Sequence, residues 1–499
     1  MNAMLTKLHE MREFGGTART RGLPDAAIEA FAASHAELGE AVDAAYAAHI
    51  ALRSCRDDFL HLDEDEQMRR AQADFVNFYA DDAVNPYIAL AARGPWLVTL
   101  KGAVLHDSGG YGMLGFGHAP KELLDVLGRA QVMANIMTPS LAQMKFTEAL
   151  RAEIGHNRGG SPFARFLCLN SGSESVTLAC RIADVNAKLL TDPGAKYAGR
   201  KIKRLAVKGA FHGRTEGPAF YSDSSRKAYL ENLASYRGDD SLITVAPYDV
   251  NQLRAAFAEA ERHGWFIQAM FLEPVMGEGD PGRAVTPEFY AAARELTREH
   301  GSLLLVDSIQ AGLRAHGVLS VVDYPGFEKL DAPDMETYSK ALNAGQYPLS
   351  VLAVTAETAK LYHKGIYGNT MTGNPRALDV ACTVLGMLTP EVRDNIRARG
   401  VEFLEKLNAL KAELPGYITG VQGTGLLFSC ELSREFKCYG AGSTEEWLRE
   451  HGYGVIHGGA NSLRFTPHFR ITSEEVDLMV EGVRRALVEG PRAKQAAAA

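Results

Sequence analysis

An aspartate and a lysine near the middle of the chain could act together in catalysis: Asp307 follows a predicted strand, and a second element delivers Lys340. Asp307 comes directly after the apolar run SLLLV at 302–306, and Lys340 follows Ser339. The run has no helical amphipathicity, so it predicts a buried strand of a parallel sheet, and ligands bind at the carboxyl ends of such strands. A lysine amine in that position can form a Schiff base. We therefore expect the carboxylate and the amine to lie close together.

Each of these residues also has an ordinary explanation when it is considered alone. An aspartate after a strand commonly closes a turn, and a single lysine is usually a solvated surface charge. The functional interpretation of the pair is supported by four further segments that occur with it in order along the chain. These segments are LNSGSES at 169–175, AFHGRT at 210–215, EPVMGEG at 273–279 and NTMTGNP at 369–375.

With these segments, the chain resembles the class III (omega-type) aminotransferases, which are pyridoxal 5'-phosphate (PLP) enzymes of fold type I. The resemblance covers most of the chain after the first eighty or so residues. It implies that Lys340 is the Schiff-base lysine and that Asp307 contacts the pyridinium nitrogen of PLP. A carboxylate that keeps this nitrogen protonated makes the ring an electron sink. Lys340 then transfers the proton during the reaction.

The residues between a predicted strand at 166–169 and a predicted helix at 174–190 suggest a phosphate site. Backbone amides at a helix N-terminus, together with hydroxyl groups, hold a phosphate, and a glycine lets the backbone approach it. Seen alone, the segment equally fits an ordinary serine N-cap with Glu174 in the first turn. The resemblance favours the phosphate and assigns it to Ser171, Gly172 and Ser173.

The resemblance also implies further contacts with the cofactor. Phe211 has the flat ring required for stacking on PLP. We interpret His212 as a hydrogen-bonding scaffold beside the cofactor and not as a general base, because Lys340 fills that role. Glu273 is expected near the aspartate that holds the pyridinium nitrogen. Gln310 is a further expected contact with the cofactor.

A loop around Thr370 matches one that reaches the cofactor phosphate of the neighbouring subunit, so the resemblance implies a homodimer. Tyr111 matches an aromatic residue beside the substrate. Arg464 matches an arginine that binds the substrate carboxylate, and a guanidinium suits that role because it grips a carboxylate with two bonds. Glu278 matches a carboxylate that pairs with this arginine when the donor is an amino acid with a distal amine. The alternative interpretation is that Glu278 is an ordinary glutamate of a surface loop.

The predicted reaction is ping-pong transamination. An amine or amino acid, including donors with a distal amine, gives its amino group to a 2-oxo acid such as 2-oxoglutarate or pyruvate. One alternative is a PLP-dependent isomerase of the same fold, either an aminomutase or an amino acid epimerase, and another is a PLP-binding protein without activity. Arg464 and Glu278 favour transamination. Four positions depart from the family pattern and indicate an unusual substrate pocket: Ser308, Arg314, Gln346 and His468.

Gly110, Gly112 and Gly115 match the pattern GxGxxG, so a dinucleotide-binding turn is a rival interpretation of that segment. We expect His106, Asp107 and Ser108 to interrupt the preceding strand. No acidic residue follows about twenty positions later to bind a ribose. The segment therefore does not favour a nicotinamide cofactor.

The alternation of predicted strands and helices indicates an α/β protein of PLP fold type I, with a mostly parallel sheet covered by helices. We predict a large PLP-binding domain at 135–388 and a small α+β domain formed by 83–134 and 389–490. A helical extension is predicted at 1–82, with a helical stripe after Pro24 and a helix over 64–79. Residues 491–499 are predicted to be a disordered tail.

The chain has 499 residues, a net charge of -8 and an isoelectric point near 6.0, which gives no general attraction to nucleic acid or an anionic membrane. Its six cysteines are scattered without a CxxC pair, so neither disulfides nor a metal site is predicted. No stretch reaches the roughly eighteen apolar residues of a membrane span, and no signal peptide is recognisable. We predict a cytoplasmic protein.

Overall fold

The computed structural model describes residues 3–109 and 111–493, which form two compact units. Unit 1 contains the described residues within Met1–Leu124, Ala398–Gln422 and Phe428–Ala499. Unit 2 contains Asp125–Arg397 and Gly423–Leu427. The predicted domain boundaries stay predictions. Gly110 and most of the predicted disordered tail lie outside the described residues.

Strands occur in both units. In chain order they are β1 (Ala89–Arg93), β2 (Trp96–Thr99), β3 (Val104–Asp107), β4 (Arg165–Leu169), β5 (Lys201–Val207), β6 (Leu242–Val245), β7 (Trp265–Leu272), β8 (Leu303–Asp307), β9 (Met335–Tyr338), β10 (Ser350–Val354), β11 (Ile418–Thr424), β12 (Leu427–Leu432), β13 (Tyr453–Gly454), β14 (Ile456–Gly458) and β15 (Ser462–Phe465).

Helices separate most of these strands. In chain order they are α1 (Ala3–Arg12), α2 (Asp25–Ala32), α3 (Ala36–Arg53), α4 (Asp57–Leu60), α5 (Glu64–Gln72), α6 (Lys121–Leu127), α7 (Leu141–Glu153), α8 (Gly172–Thr191), α9 (Glu216–Ala219), α10 (Arg226–Asn232), α11 (Val250–Arg262), α12 (Pro287–His300), α13 (Ala356–Ala359), α14 (Pro375–Met387), α15 (Pro390–Glu413), α16 (Thr444–Glu450) and α17 (Ser473–Glu489). A short 3₁₀ helix also covers Lys340–Asn343.

Unit 2 is built on a sheet whose strand order is β4-β10-β9-β8-β7-β5-β6. The five strands from β9 to β6 are parallel, whereas β10 runs antiparallel to both β9 and β4. All residues of β8 are buried, and successive side chains of a strand point to opposite faces, so both faces of the sheet are covered. The predicted α/β fold with a mostly parallel sheet is confirmed.

Helix α8 covers one face of this sheet. Val176 and Ile182 of α8 belong to the same buried cluster as Leu303 and Leu305 of β8. Helices α11 and α12 also pack on the central strands. These contacts fix the direction of β8 and β9, and the direction of the strands sets which side chains lie at their carboxyl ends.

Unit 1 contains the sheet β1-β2-β3-β13, on which α3 packs. A second sheet, of order β11-β12-β15-β14, forms in the C-terminal part of the chain. His106 and Asp107 are the last two residues of β3, so the prediction that they interrupt the strand is wrong. β3 pairs antiparallel with β2, which is the pairing of a meander and not of a dinucleotide-binding βαβ unit.

Two predictions for the N-terminal segment need correction. The helix predicted over 64–79 ends at Gln72, and the side chains of Phe75 and Val76 beyond it are 71% and 95% exposed. Without a buried face, that stretch gains nothing from helix packing. The helical stripe after Pro24 is divided between α2 and α3 by a break at Ser34 and His35.

The helices of the described residues include none with the length and apolar character that crossing a membrane requires. The predicted cytoplasmic location stays a prediction.

The predicted strand at 166–169 is confirmed as β4, but it is half-buried instead of buried. It lies at the edge of the sheet, where β10 is its only neighbour in the strand order.

Candidate active site

Asp307 is the last residue of β8 and is 4% exposed. Its Oδ1 accepts hydrogen bonds from the Thr337 hydroxyl at 3.1 Å and from the Ile309 backbone N–H at 3.2 Å. Its Oδ2 lies 2.9 Å from Nδ1 of His212. Thr337 is also the register partner of Asp307 on the neighbouring parallel strand. The carboxylate is therefore held in one orientation and keeps lone pairs for a further donor.

Lys340 begins the 3₁₀ helix that follows β9. Because Asp307 pairs with Thr337, the lysine stands three residues beyond the aspartate at the same edge of the sheet. Its φ of 45° lies in the left-handed region, which a residue other than glycine adopts only at a cost. The surrounding turn is fixed because Ser339 and Asn343 both donate hydrogen bonds to the carbonyl of Leu349, at 2.7 and 2.9 Å.

Glu273 follows β7 and is 3% exposed. It accepts hydrogen bonds from the backbone N–H groups of Phe211 at 3.0 Å and Gly277 at 2.8 Å. Burial raises the pKa of this carboxyl to about 7. Glu273 thus fixes two loops, one of which places Phe211 next to His212. The Phe211 ring also faces the guanidinium of Arg214 at 5.3 Å.

Gln310 packs so closely on Gly277 that a Cβ at residue 277 would lie 2.2 Å from the Cδ of the glutamine. Any larger residue at 277 would displace the Gln310 side chain. The predicted cofactor contact at 310 therefore depends on a glycine in the loop that Glu273 holds.

Ser171 is the N-cap of α8 and forms a capping box with Glu174. The Glu174 carboxylate accepts from the backbone N–H groups of Asn170 and Ser171, at 2.8 and 3.1 Å, and from Asn369 Nδ2 at 3.0 Å. The serine N-cap is therefore present in the structure. Gly172 and Ser173 begin the helix, where backbone N–H groups have no acceptor within the helix.

Gly172 is also required by packing, because a Cβ there would lie 2.7 Å from Cδ1 of Ile309, two residues after Asp307. The N-terminus of α8 is thereby held against the segment that follows β8. The amides predicted to bind phosphate lie next to the loop that the Asp307 carboxylate orients.

The buried residues of this region fit PLP. The Nε2 atom of His212 is buried and has no hydrogen-bond partner among the described residues, and such an atom is costly unless a further polar group reaches it. The oriented Asp307 carboxylate suits a protonated ring nitrogen, and the first turn of α8 suits a phosphate. Ser171, Gly172, Ser173 and Asp307 are the residues that would hold these two parts.

Two predicted substrate residues come together in unit 1. Arg464 lies on β15 between β12 and β14 and is 2% exposed. Its guanidinium stands 5.3 Å from the ring centroid of Tyr111, a cation–π distance. Tyr111 has a φ of 52°, and burial raises the pKa of its hydroxyl. The sequence had predicted both residues without predicting their contact.

Two further predicted site residues lie in loops of unit 2. Glu278 is half-buried in the segment after β7. Thr370 is exposed, and its carbonyl accepts from the Ile136 backbone N–H at 3.3 Å. Their assignments stay predictions.

Tyr79 was missed by the sequence analysis. Its ring stacks on that of Tyr111, with a centroid separation of 5.8 Å. Both tyrosines line a cavity of about 360 Å³ that also includes the buried Arg449. The signal present in the sequence was the aromatic pair Phe78 and Tyr79.

Glu336 was also missed. It is fully buried on β9, where its carboxylate accepts from the hydroxyls of Ser308 at 2.6 Å and Ser320 at 2.5 Å and from the Val321 N–H at 2.9 Å. Burial raises the pKa of Glu336 to about 7. Ser308, one of the four positions that depart from the expected family pattern, therefore contacts a carboxylate on the neighbouring strand.

The family model described as class-III aminotransferase matches residues 78–487 of the chain. Among solved structures, the chain is similar to the ornithine aminotransferase from Toxoplasma gondii ME49, with 23% identity, a TM-score of 0.71 and coverage of 88% of this chain and 98% of that one. A further T. gondii structure of this enzyme, with 23% identity and a TM-score of 0.70, covers 85% of this chain and 95% of that one. That structure is described as having partial occupancy of PLP at the active site.

The N-acetylornithine aminotransferase from Stenotrophomonas maltophilia K279a has 22% identity and a TM-score of 0.64, with coverage of 84% of this chain and 98% of that one. At these identities, the likeness to solved structures shows the fold.

Proposed function

The chain belongs to the class-III aminotransferases, PLP-dependent transaminases of fold type I, and on that premise we propose a role for each site residue and a substrate class. The observation that carries the proposal is the placement of Asp307 and Lys340 at the ends of two adjacent parallel strands. Asp307 is oriented there by the Thr337 hydroxyl and by His212. This is the pairing of carboxylate and amine that PLP chemistry requires.

PLP, when bound, supplies an electron-deficient ring that draws electron density away from the reacting carbon of the substrate. Asp307 keeps a proton on the ring nitrogen, and His212 Nδ1–H donates to Asp307 Oδ2 and holds that carboxylate in place. Lys340 attaches the cofactor and moves the substrate proton through its Nζ. Gly172 and Ser173 bind the phosphate through the first amides of α8.

We assign the substrate carboxylate to Arg464. The Arg464 guanidinium is buried and stands 5.3 Å from the Tyr111 ring centroid, and a guanidinium binds a carboxylate with two parallel hydrogen bonds. The acceptor is a 2-oxo acid such as 2-oxoglutarate or pyruvate. The relatives named ornithine and N-acetylornithine aminotransferases support an amino acid donor with a distal nitrogen. Glu278 keeps its predicted role in accepting such donors.

A homodimer is part of the proposal. Unit 2 exposes a group of large apolar side chains, in which Met133 is 77% and Met137 is 83% exposed. Such a patch is unusual on a monomer and typical of an interface. It lies next to a cavity of about 630 Å³ whose lining includes Ile136 and Thr370. The further apolar members are Val132, Leu141, Met144 and Met371.

A panel of donors and acceptors tests the reaction. Purified protein with PLP is incubated with ornithine, N-acetylornithine, 4-aminobutyrate and a simple amine, each with pyruvate or 2-oxoglutarate. Release of the amino acid formed from the acceptor is measured. We expect turnover that requires both partners. Conversion of a donor to an isomer without any acceptor would contradict transamination and support an aminomutase or epimerase.

A further inference from the structure

Four side chains of unit 1 converge on one another, and none of them is a residue assigned to PLP. His106 on β3 and His468, in the turn before α17, each place Nε2 3.1 Å from the same oxygen, Oε1 of Glu475. The Nε2 of His35, the residue before α3, lies 3.7 Å from the other oxygen of Glu475. Glu475 and His106 are 1% or less exposed, and His468 is 7% exposed.

The spacing of these atoms is that of metal ligands. One ligand atom each from His106, His468 and Glu475 lies within 4.8 Å of the others. Two ligands at zinc-bond lengths and a tetrahedral angle are about 3.4 Å apart, close to the 3.1 Å between each Nε2 and the carboxylate oxygen. Both imidazoles direct the same ring nitrogen at one point.

The surroundings hold the ligands in place. The Ser34 hydroxyl lies 3.0 Å from Nδ1 of His35 and orients that ring beside the carboxylate, whereas Nδ1 of His106 is buried without a hydrogen-bond partner among the described residues. Trp96 is fully buried and packs with its ring centroid 5.1 Å from that of His106 and 5.8 Å from that of His35. The Thr472 backbone N–H donates to Oε2 of Glu475 at 2.7 Å and fixes that carboxylate. The cluster is therefore buried, and its side chains are held in fixed orientations.

From this geometry we propose that His106, His468 and Glu475 bind a divalent transition metal, with Zn²⁺ as the preferred ion. Two imidazoles and one carboxylate suit a borderline ion such as Zn²⁺ and do not suit Mg²⁺ or Ca²⁺, which take oxygen ligands. Cysteine spacing does not indicate a zinc site, whereas these ligands are two histidines and a glutamate, of which His106 lies far from the other two in the chain.

The site would be structural. His35 belongs to the N-terminal helical segment, His106 to the first sheet of unit 1, and Glu475 to the first turn of α17. His106 and Glu475 are 369 residues apart in the sequence. A bound ion would therefore join the two chain ends within unit 1 and stabilise the folded state by an amount that grows with the logarithm of the free-ion concentration above its Kd.

The test uses full-length holoenzyme produced with added zinc and dialysed against metal-free buffer. Elemental analysis is expected to give about one zinc per chain, and His468→Asn and Glu475→Gln are expected to lower the affinity by at least tenfold. The matched control is His9→Asn, because His9 pairs with the carboxylate of Asp25 at 2.7 Å in the same unit and is not a member of the cluster. His9→Asn should keep the wild-type zinc content.

A second measurement avoids dependence on the folding of the variants. Zinc is removed from the wild-type protein by a chelator, and Co²⁺ is added while visible absorption and the unfolding midpoint are recorded. Tetrahedral Co²⁺ bands and a raised midpoint are expected. Absence of zinc in the wild type together with no Co²⁺ bands would overturn the proposal and leave a hydrogen-bonded cluster. Zinc that persists unchanged in both His468→Asn and Glu475→Gln would equally overturn it.

Discussion

At the scale of single residues, the site depends on how firmly the Asp307 carboxylate is oriented. Three donors fix it: the Thr337 hydroxyl, the Ile309 N–H and His212. The sequence predicted Asp307 and Lys340 because an apolar run and a following lysine mark strand ends. It did not predict the contact of His212 with Asp307, because the two residues are 95 positions apart and meet only in the folded sheet.

Asp307→Asn tests the charge of this residue with little change in shape. The amide cannot keep the ring nitrogen protonated, so we expect the single-turnover rate to fall by about two to four powers of ten while the protein still binds PLP. Asp323→Asn is the control, because Asp323 is a buried aspartate of unit 2 that binds the backbone of Gly155 and Asn157. A near wild-type rate in folded Asp307→Asn would refute the assignment.

Arg464 is tested by separating the two half-reactions. Arg464→Ala removes the guanidinium fork, so the apparent KM for 2-oxoglutarate or pyruvate is expected to rise by about ten- to a thousandfold. The half-reaction with an amine that lacks a carboxylate is the internal control and should change far less. Stopped-flow absorbance of the cofactor follows each half separately. Equal losses in both halves would rule out a role in carboxylate binding.

At the scale of elements, β9 serves two purposes because its successive side chains point to opposite faces. Thr337 faces Asp307, whereas Glu336 faces Ser308 and Ser320. The sequence predicted neither contact, since side-chain pairing between strands depends on register. The end of α5 was not predicted either. It is set by the exposure of Phe75 and Val76 in the folded protein and not by a helix breaker in the sequence.

Glu336→Gln measures the cost of burying that carboxyl group. The pKa of Glu336 is raised from 4.5 to about 7 by burial, so between these values the folded protein binds more protons than the unfolded chain. The contribution of Glu336 to the free energy of unfolding therefore falls as pH rises from about 4.5 to 7 and levels off above 7. Relative to Glu336→Gln, the wild type should lose on the order of 3 kcal/mol across this range.

Denaturant unfolding of both proteins from pH 5 to pH 8 checks this result. Glu273, whose pKa is also raised to about 7, is present in both proteins, so its effect cancels in the difference. A difference between wild type and Glu336→Gln that stays constant with pH would show that Glu336 does not titrate in this range.

At the scale of the whole molecule, the family and the α/β sheet were predicted from the sequence, because buried parallel strands leave continuous apolar runs and because four motifs fix their order. The cluster of His35, His106, His468 and Glu475 was not predicted. Its members come from both ends of the chain, and their spacing in the sequence carries no metal-binding pattern.

The proposed homodimer is tested by mixing inactive subunits. If Thr370 serves the partner's cofactor phosphate, a hybrid of Lys340→Ala and Thr370→Ala subunits regains one site with both residues intact. Activity should then rise above that of either variant alone after the subunits are mixed and allowed to exchange. The control replaces Lys340→Ala by the double variant Lys340→Ala/Thr370→Ala, which restores no site. No gain in hybrids shown to form would place Thr370 in its own subunit's site.

The most direct test of the central claim maps the lysine that carries PLP. The purified holoenzyme is reduced with borohydride, digested and analysed by mass spectrometry, with Lys340→Ala treated in parallel. We predict a pyridoxyl group on the peptide that contains Lys340. We also predict that the Lys340→Ala protein is unlabelled and inactive. A pyridoxyl group on another lysine, or a labelled and active Lys340→Ala, would contradict the account.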